Sequence, residues 1–381
     1  MSRALKENAV QVIGIGLHPY QFPSDTPYVH LGLTAIREAL RDAGVDWPQV
    51  QAAYVGTAAV GMAAGRVMLR HLGSTGLEVM QVENASASGS TAFRQGCQAV
   101  ANGEHDLVLA VGVDKFGHGR RASGSDGLTA LSPTASIPLA KFALLARRYL
   151  RDGGLKIESL AAVAVKNHGN AAKNPYAQFR KPRTLEQVLA SPRVAGDLTA
   201  QQCCPRGEGA AAVIVASDAA IKRLGLDRTR AVRVTASVSD SERLGDGQVP
   251  PIIRMVQASS HAALEQAGVS PKDLDLVELH DAFSIEEILY SEAIGVCAPG
   301  EGAAYLARGA SAIGGECAIN ASGGLIGMGH PLGPTGIGQI AEITRQLRGE
   351  ASGRQHPNAR IGLAHMIGLG SVSVAHVLQR N

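Results

Sequence analysis

Two distant stretches of this chain share one pattern. Residues 38–56 read EALRDAGVDWPQVQAAYVG, and residues 262–280 read AALEQAGVSPKDLDLVELH. At a constant offset of 224 residues, Ala39, Leu40, Ala43, Gly44 and Val45 recur as Ala263, Leu264, Ala267, Gly268 and Val269. In each copy a helical run ends at a glycine, the residue that C-terminal caps prefer. A polar turn containing proline then leads into an apolar strand. Such a match arises either from a common helix–turn–strand solution reached twice or from a duplication. The shared order of elements favours duplication, and a duplicated chain folds as two similar α/β halves. The expected division puts residues 1–120 with 205–255 in the first half and 256–381 in the second.

The rest of the chain follows the same rhythm. Short Val-, Ile- and Ala-rich runs bounded by glycine read as strands at 10–16, 52–58, 77–82, 106–113, 210–217, 231–239, 275–280 and 371–378. Helical patterns such as LGLTAIREALRDAG and GSTAFRQGCQAVANG lie between them. Alternating strands and helices indicate α/β architecture, and continuous apolar strands indicate sheets covered on both faces. Aromatic residues are only 4% of the chain and glycines number 45, which suits layers packed with close backbone approaches. Residues 121–204 depart from the rhythm and read as an inserted loop region over a site. A surface subdomain without a chemical role is the alternative.

Charge and cysteine content exclude several classes. Lys and Arg total 36 against 33 Asp and Glu, a formal +3. Over this length that is near neutrality, which gives no electrostatic case for nucleic acid or membrane surfaces. No apolar run approaches the roughly 20 residues of a membrane span. The opening MSRALKENAVQVIGIG lacks the apolar core of a secretory signal, so a cytoplasmic protein is expected. Five cysteines with no CxxC pair suggest neither a disulfide framework nor a metal site.

Four stretches carry candidate chemistry. In VENASASGSTAFRQG, Ser86 stands where a strand-to-helix turn meets a helix predicted from about Gly89. Backbone N–H groups and the positive end of a helix converge there, a place suited to a nucleophile or an oxyanion. The bland alternative is ordinary capping by Ser88 or Ser90. In ELHDAFSIEE, His280 follows a strand and precedes a helix, a position for an acid, a base or simply a packed imidazole. In INASGGLIGMGHPLGPTGIG, glycines surround His330 ahead of a helix predicted near Thr335 or Gly336. In LAHMIGLGSVSV, His365 precedes the Gly368-Leu369-Gly370 turn.

Taken in this order, these stretches resemble the thiolase superfamily, and in particular its sterol-carrier-protein branch. The likeness is carried by KNPYAQFRKP…LTAQQCCPRGEGAAAVIVAS (173–217), HDxF at 280–283, GHPLGxTG at 329–336 and HxxGLG at 365–370. It covers nearly the whole chain. The resemblance implies a five-layer αβαβα fold in which each half contributes a sheet and two helices pack between the sheets. It implies a homodimer or tetramer, and a coenzyme A thioester as substrate with no permanently bound cofactor. It also implies carbon–carbon bond chemistry beside the thioester. His330 then matches the family's proton-abstracting histidine. His280 matches the histidine that orients a water in one oxyanion hole, and Gly368 and Gly370 match the turn that builds the other. His365 is a secondary candidate.

The departures from that pattern define the problem. The nucleophile position holds Ser86 instead of cysteine, and the family's alternative second-thiol positions hold Ala282 and Met366. Cys97, Cys203, Cys204, Cys297 and Cys317 lie elsewhere. A free thiol ionises near pH ~8.5, whereas a serine hydroxyl needs a base acting in concert. An acyl-serine is an oxygen ester, so returning its acyl group to coenzyme A runs uphill. Three readings follow. One is a thiolase-like acyltransferase with altered chemistry. Another is a thiolase-like aldolase that cleaves a β-hydroxyacyl thioester together with an OB-fold (DUF35-type) partner, although such aldolases tend to carry tyrosines at the His280 and His330 positions. The third is a non-catalytic acyl-CoA binder. An engineered serine fits less well with the loss of the second thiol. Arg120, Arg121, Arg180, Lys181 and Arg183 are candidates for the coenzyme A phosphates, or else a solvated charged face.

Overall fold

The apolar runs bounded by glycine form strands, and the amphipathic runs between them form the helices that cover those strands. The computed structural model describes residues 9–116, 138–243 and 249–381. Its strands are β1 (Val10–Gln21), β2 (Ala52–Gly56), β3 (Glu78–Val82), β4 (Leu107–Asp114), β5 (Arg193–Ala195), β6 (Leu198–Thr199) and β7 (Glu208–Ser217). They continue as β8 (Val232–Ser241), β9 (Leu276–Glu278), β10 (Ala318–Ile319), β11 (Ile361–Gly368) and β12 (Val372–Arg380). The helices that matter for the site are α1 (Tyr28–Ala43), α2 (Ser88–Ala101), α3 (Pro138–Asp152), α4 (Ile157–Ala171), α5 (Pro251–Ala267), α6 (Ser284–Ile294), α7 (Gly324–Gly327) and α8 (Leu332–Leu347).

The repeat in the sequence is a repeat in space. Helix α1 ends at Gly44 with φ 68°, and α5 ends at Gly268 with φ 71°. Both glycines take the left-handed cap conformation that a side chain would strain. A 3₁₀ turn follows each, at Trp47–Gln49 and Pro271–Asp273, and each leads into a strand, β2 and β9.

Ten strands form one ladder in the order β10-β9-β11-β12-β8-β1-β7-β4-β2-β3. The antiparallel pair β1–β8 joins the halves, with Val10 opposite Val234 and Val12 opposite Val232. Outward from that seam the two sides have the same order, β1-β7-β4-β2-β3 and β8-β12-β11-β9-β10. The division expected at 255/256 falls inside α5. On the element correspondence we propose that the second half begins with β8.

Helices α2 and α8 form the middle layer. Glycine is required where they cross. A Cβ on Gly89 would lie 2.2 Å from the Gly333 carbonyl oxygen, and one on Gly336 would lie 2.1 Å from Ser90 Oγ. Helix α8 touches both sides of the ladder, at Gly112 of β4 through Gly333 and at Gly362 of β11 through Ile343. Helix α1 covers β1 from outside, where Gly14 and Gly16 admit the backbone of Ala39 and Ala35. Helix α5 covers the other half, joined to β12 by the 2.7 Å contact between Ser259 and Ser373 hydroxyls. The buried apolar side chains accordingly form three slabs, one central and one beneath each outer helix layer. This is the five-layer αβαβα arrangement. The inserted region contributes α3, α4 and the small β5–β6 ladder. Among the described residues no helix is long and apolar enough to cross a membrane.

Candidate active site

The central helices point their N-termini at one place. Ser86 stands two residues ahead of α2, and His330 stands two residues ahead of α8. Helix α8 begins at Leu332, three or four residues earlier than its sequence pattern predicts. Pro334 is tolerated in that first turn because N–H groups there have no intrahelical partner.

The turn before α2 is tightly fixed. Ala85 takes a left-handed φ of 48°. Ser88 does not cap the helix, whose N-cap is Ala87 without a side-chain bond. Instead its hydroxyl accepts from Asn84 N at 2.9 Å and donates to the Ala85 carbonyl at 2.6 Å. Among the described residues Ser90 Oγ has no hydrogen-bond partner. These bonds leave Ser86 buried with its hydroxyl 3.0 Å from His330 Nε2.

The other ring nitrogen decides what that contact can do. His330 Nδ1 lies 3.0 Å from Thr335 Oγ1, and that hydroxyl donates its single proton to the Pro331 carbonyl. Thr335 therefore accepts from Nδ1–H, which leaves Nε2 as an acceptor for the Ser86 hydroxyl proton. The loop carrying His330 is anchored by buried Asp114 at the end of β4. Its carboxylate accepts Gly333 N at 2.5 Å, Thr57 Oγ1 at 2.8 Å and Ala59 N at 2.8 Å. Burial pushes the Asp114 carboxyl up, partly offset by these bonds.

His280 forms the second wall. Its ring stands perpendicular to that of His330, with centroids 5.5 Å apart. Its Nδ1 lies 3.0 Å from Glu286 Oε1, and the same buried carboxylate accepts Tyr290 O–H at 2.8 Å and Phe283 N–H at 2.9 Å. Three donors on one carboxylate hold His280 with Nε2 turned away from Glu286. The neighbouring Asp281 is structural. It accepts Leu325 N at 2.6 Å and Asn167 Nδ2 at 2.8 Å, and a Cβ on Gly324 would come within 2.4 Å of its Oδ2. Burial, then the nearby Glu287, push its carboxyl well above the usual range.

The remaining sequence candidates separate. Gly368 closes on the turn that carries Ser86, where a Cβ would sit 2.3 Å from the Asn84 carbonyl oxygen and 3.2 Å from Ala87 Cβ. Gly370, with φ 78°, faces Lys141 and Ile252 instead. His365 points to the outer layer, with Nε2 3.1 Å from Ser373 Oγ and its ring 5.5 Å from that of Tyr290. Tyr290, whose hydroxyl donates to Glu286, links it to His280. Burial, with His280 nearby, drops its pKa to about 3. The cysteines do not restore the absent thiols. Cys203 and Cys204 run beside the HDAF stretch, with Cys204 N 2.8 Å from the Ala282 carbonyl. Burial, then Cys204 and Glu286, push the Cys203 thiol up to about 12. Arg180 bonds the carbonyls of Ala177 and Pro175, and Arg120 and Arg121 lie outside the described residues. Among the described residues no group of three or more potential ligands could hold a metal ion.

Sequence reasoning missed Glu286, Thr335 and Asp114. Glu286 and Thr335 lie six and five residues beyond their histidines, within the motifs already singled out. Asp114 had no such signal, because its role depends on β4 meeting α8.

Comparison with known proteins agrees with the fold. The family profile for the thiolase N-terminal domain matches residues 19–187, and that for the thiolase C-terminal domain-like family matches residues 238–380. Human sterol carrier protein 2 is 36% identical over 96% of this chain and 71% of its own length. The benzoylsuccinyl-CoA thiolase subunit BbsB of Thauera aromatica is 35% identical, covering 96% of each chain. An acetyl-CoA acetyltransferase of Methanothermobacter thermautotrophicus is 37% identical, over 97% of this chain and 99% of that one. Among solved structures, the Ltp2-ChsH2(DUF35) aldolase superposes with a TM-score of 0.85 at 25% identity, covering 98% of both chains. Human mitochondrial 3-ketoacyl-CoA thiolase in complex with CoA gives 0.74 at 19% identity, again over 98% of both chains, and shows the shared fold. Sequence profile, full-length relatives and architecture thus coincide: the chain belongs to the thiolase family.

Proposed function

We propose that this protein acts on the carbon–carbon bond beside a coenzyme A thioester, with Ser86 as nucleophile, His330 as its base and His280 as proton donor. The observation that carries the reading is the 3.0 Å contact between Ser86 Oγ and His330 Nε2, backed by the hydroxyl of Thr335 on Nδ1. A serine acts as a nucleophile only with such a base in hydrogen-bond reach. Ser86 Oγ attacks the β-keto carbonyl while Nε2 takes its proton. The Cα–Cβ bond breaks, and the enolate of the shorter thioester takes a proton from Nε2 of doubly protonated His280, whose Nδ1–H the Glu286 carboxylate accepts. The proton that His330 took from Ser86 restores His280, and the acyl group stays on Ser86 as an oxygen ester. Passing that acyl group to water runs downhill, whereas returning it to a thiol runs uphill. On this reading the positive end of α2 and the backbone near Gly368, which meets the Ser86 turn, stabilise the carbonyl oxygen that gains charge.

A second reading is a retro-aldol cleavage with no acyl-enzyme, and the 0.85 TM-score to an aldolase complex favours it. One histidine then takes the β-hydroxyl proton, the other supports the enolate, and an OB-fold DUF35-type protein is the partner. Intact mass after mixing with a β-ketoacyl-CoA separates the two. An acyl mass on wild type that is absent from Ser86→Ala is expected. Cleavage of a β-hydroxyacyl-CoA with no adduct, dependent on the partner, would replace the first reading by the second. Binding of coenzyme A thioesters without turnover of either would leave a non-catalytic acyl-CoA binder.

For the substrate's phosphates we propose Arg180, Lys181 and Arg183, which pair with no carboxylate among the described residues. We propose a homodimer or tetramer, supported by edge strand β3, which among the described residues is unpaired on one side and shows Met80 at the surface. Five free cysteines suit a cytoplasmic, reducing setting.

A further inference from the structure

We propose that Lys141 selects an acyl group bearing a carboxylate, so that the substrates are coenzyme A thioesters of dicarboxylic acids. This rests on the reading of the site as an acyl-CoA site. Lys141 lies in the first turn of α3, the inserted helix that spans two walls of the site. Its neighbour Phe142 stacks on Phe283, with centroids 4.8 Å apart and planes at 25°, three residues beyond His280. Lys141 Nζ itself lies 3.7 Å from where a Cβ on Gly370 would stand, at the tip of the β11–β12 hairpin, two residues beyond Gly368, which presses on the Ser86 turn.

Among the described residues that ammonium has no counter-charge. No carboxylate among the described residues pairs with it. Glu242 lies beside the same hairpin, held by its backbone N–H to the Ser371 carbonyl, and makes no ion pair with Lys141. The nearby Arg243 is taken by Asp240 at 3.0 Å. A partly buried, unpaired ammonium beside an apolar stack is a poor arrangement for a neutral alkyl chain. It suits a ligand that brings its own negative charge. Coenzyme A has phosphates, but the whole pantetheine arm separates them from the sulfur. A cation at the hairpin next to the reacting centre therefore reads the acyl side. Phe142 and Phe283 would flank the methylenes while Lys141 takes the terminal carboxylate.

The test compares glutaryl-CoA with pentanoyl-CoA, which share chain length and differ by the carboxylate, and includes desulfo-CoA as the unacylated control. Binding to the full chain is measured by calorimetry for wild type, Lys141→Met and Lys141→Arg. One charge-assisted bond at a partly exposed site predicts roughly tenfold tighter binding of glutaryl-CoA than of pentanoyl-CoA to wild type. Lys141→Met should abolish that preference without weakening pentanoyl-CoA, and Lys141→Arg should retain it. Equal affinity of wild type for the two thioesters would overturn the proposal. So would an equal loss of all three ligands in Lys141→Met, which would assign Lys141 to the phosphates. If wild type binds none of the three, the acyl-CoA reading itself falls. A melting curve on Lys141→Met confirms that the comparison is between folded proteins.

Discussion

The two histidines are held by different chemistry. A threonine hydroxyl that itself donates elsewhere backs His330, and a buried carboxylate backs His280. Thr335→Val keeps the shape but removes the acceptor from Nδ1. Losing one buried bond costs about 1–3 kcal/mol, so kcat should fall about 10- to 100-fold with KM little changed. Steady-state kinetics on a β-ketoacyl-CoA checks this, and an unchanged kcat would show that the tautomer is set otherwise. Glu286→Gln retains an acceptor for Tyr290 and His280 but removes the charge. It should stay folded while shifting the pH–rate profile, and an unmoved profile would remove Glu286 from the proton pathway. The most direct change is Ser86→Cys. A thiol is far more easily ionised, and its acyl product is a thioester. Transfer to coenzyme A should therefore rise by on the order of tenfold or more, read as exchange of labelled coenzyme A into acyl-CoA. Slower exchange than wild type would argue against a nucleophilic role for position 86. Ser86, His280 and His330 were legible because each lies in a short motif between a strand and a helix. Asp114 was not, because nothing local distinguishes a buried aspartate at the end of an apolar strand.

At the scale of elements, the crossing of α2 and α8 is the contact that brings Ser86 to His330. Its closeness depends on missing side chains. A methyl group on Gly89 would meet the Gly333 carbonyl oxygen at 2.2 Å, which no rotamer change relieves. Gly89→Ala should destabilise the fold by about 1–3 kcal/mol and widen the Ser86–His330 distance, lowering turnover as well. Gly169→Ala on α4 is the control, since nothing lies within 4 Å of its added Cβ. That change should be neutral or stabilising by up to about 1 kcal/mol. Urea midpoints of the two variants check both statements, and equal midpoints would refute the packing argument. Helix–turn–strand units with a glycine stop were readable from the sequence. The two-residue β10 and the short β5 and β6 were not, because so brief a run carries no periodicity.

At the scale of the whole molecule, buried histidines make stability depend on pH. Burial, the largest cause, lowers His365 and His376 to about 3, well below their unfolded value of 6.5. As pH falls below 6.5 the unfolded chain takes up protons that the folded chain refuses. Stability is therefore lost from pH 6.5 downward toward 3, by about 2 kcal/mol per histidine at pH 5. Glu278, raised to about 8 mainly by burial, acts in the opposite direction between 4.5 and 8. The clean measurement is relative. The stability of His376→Gln against wild type should shift in the variant's favour by about 2 kcal/mol between pH 7 and 5. A constant difference would mean that His376 titrates normally.

The duplication was visible at this scale from two matching stretches of 19 residues, but the ladder joining the halves was not, since register across β1 and β8 leaves no mark in either strand alone. Ser86 and His330 occupy equivalent stations, each just ahead of the inner helix of its own half. Neither copy contains a working pair. On the proposed mechanism the chemistry falls at a junction of two former equals, one supplying the oxygen and the other the nitrogen. A severed half would lose that contact together with the central slab of buried side chains that both halves supply.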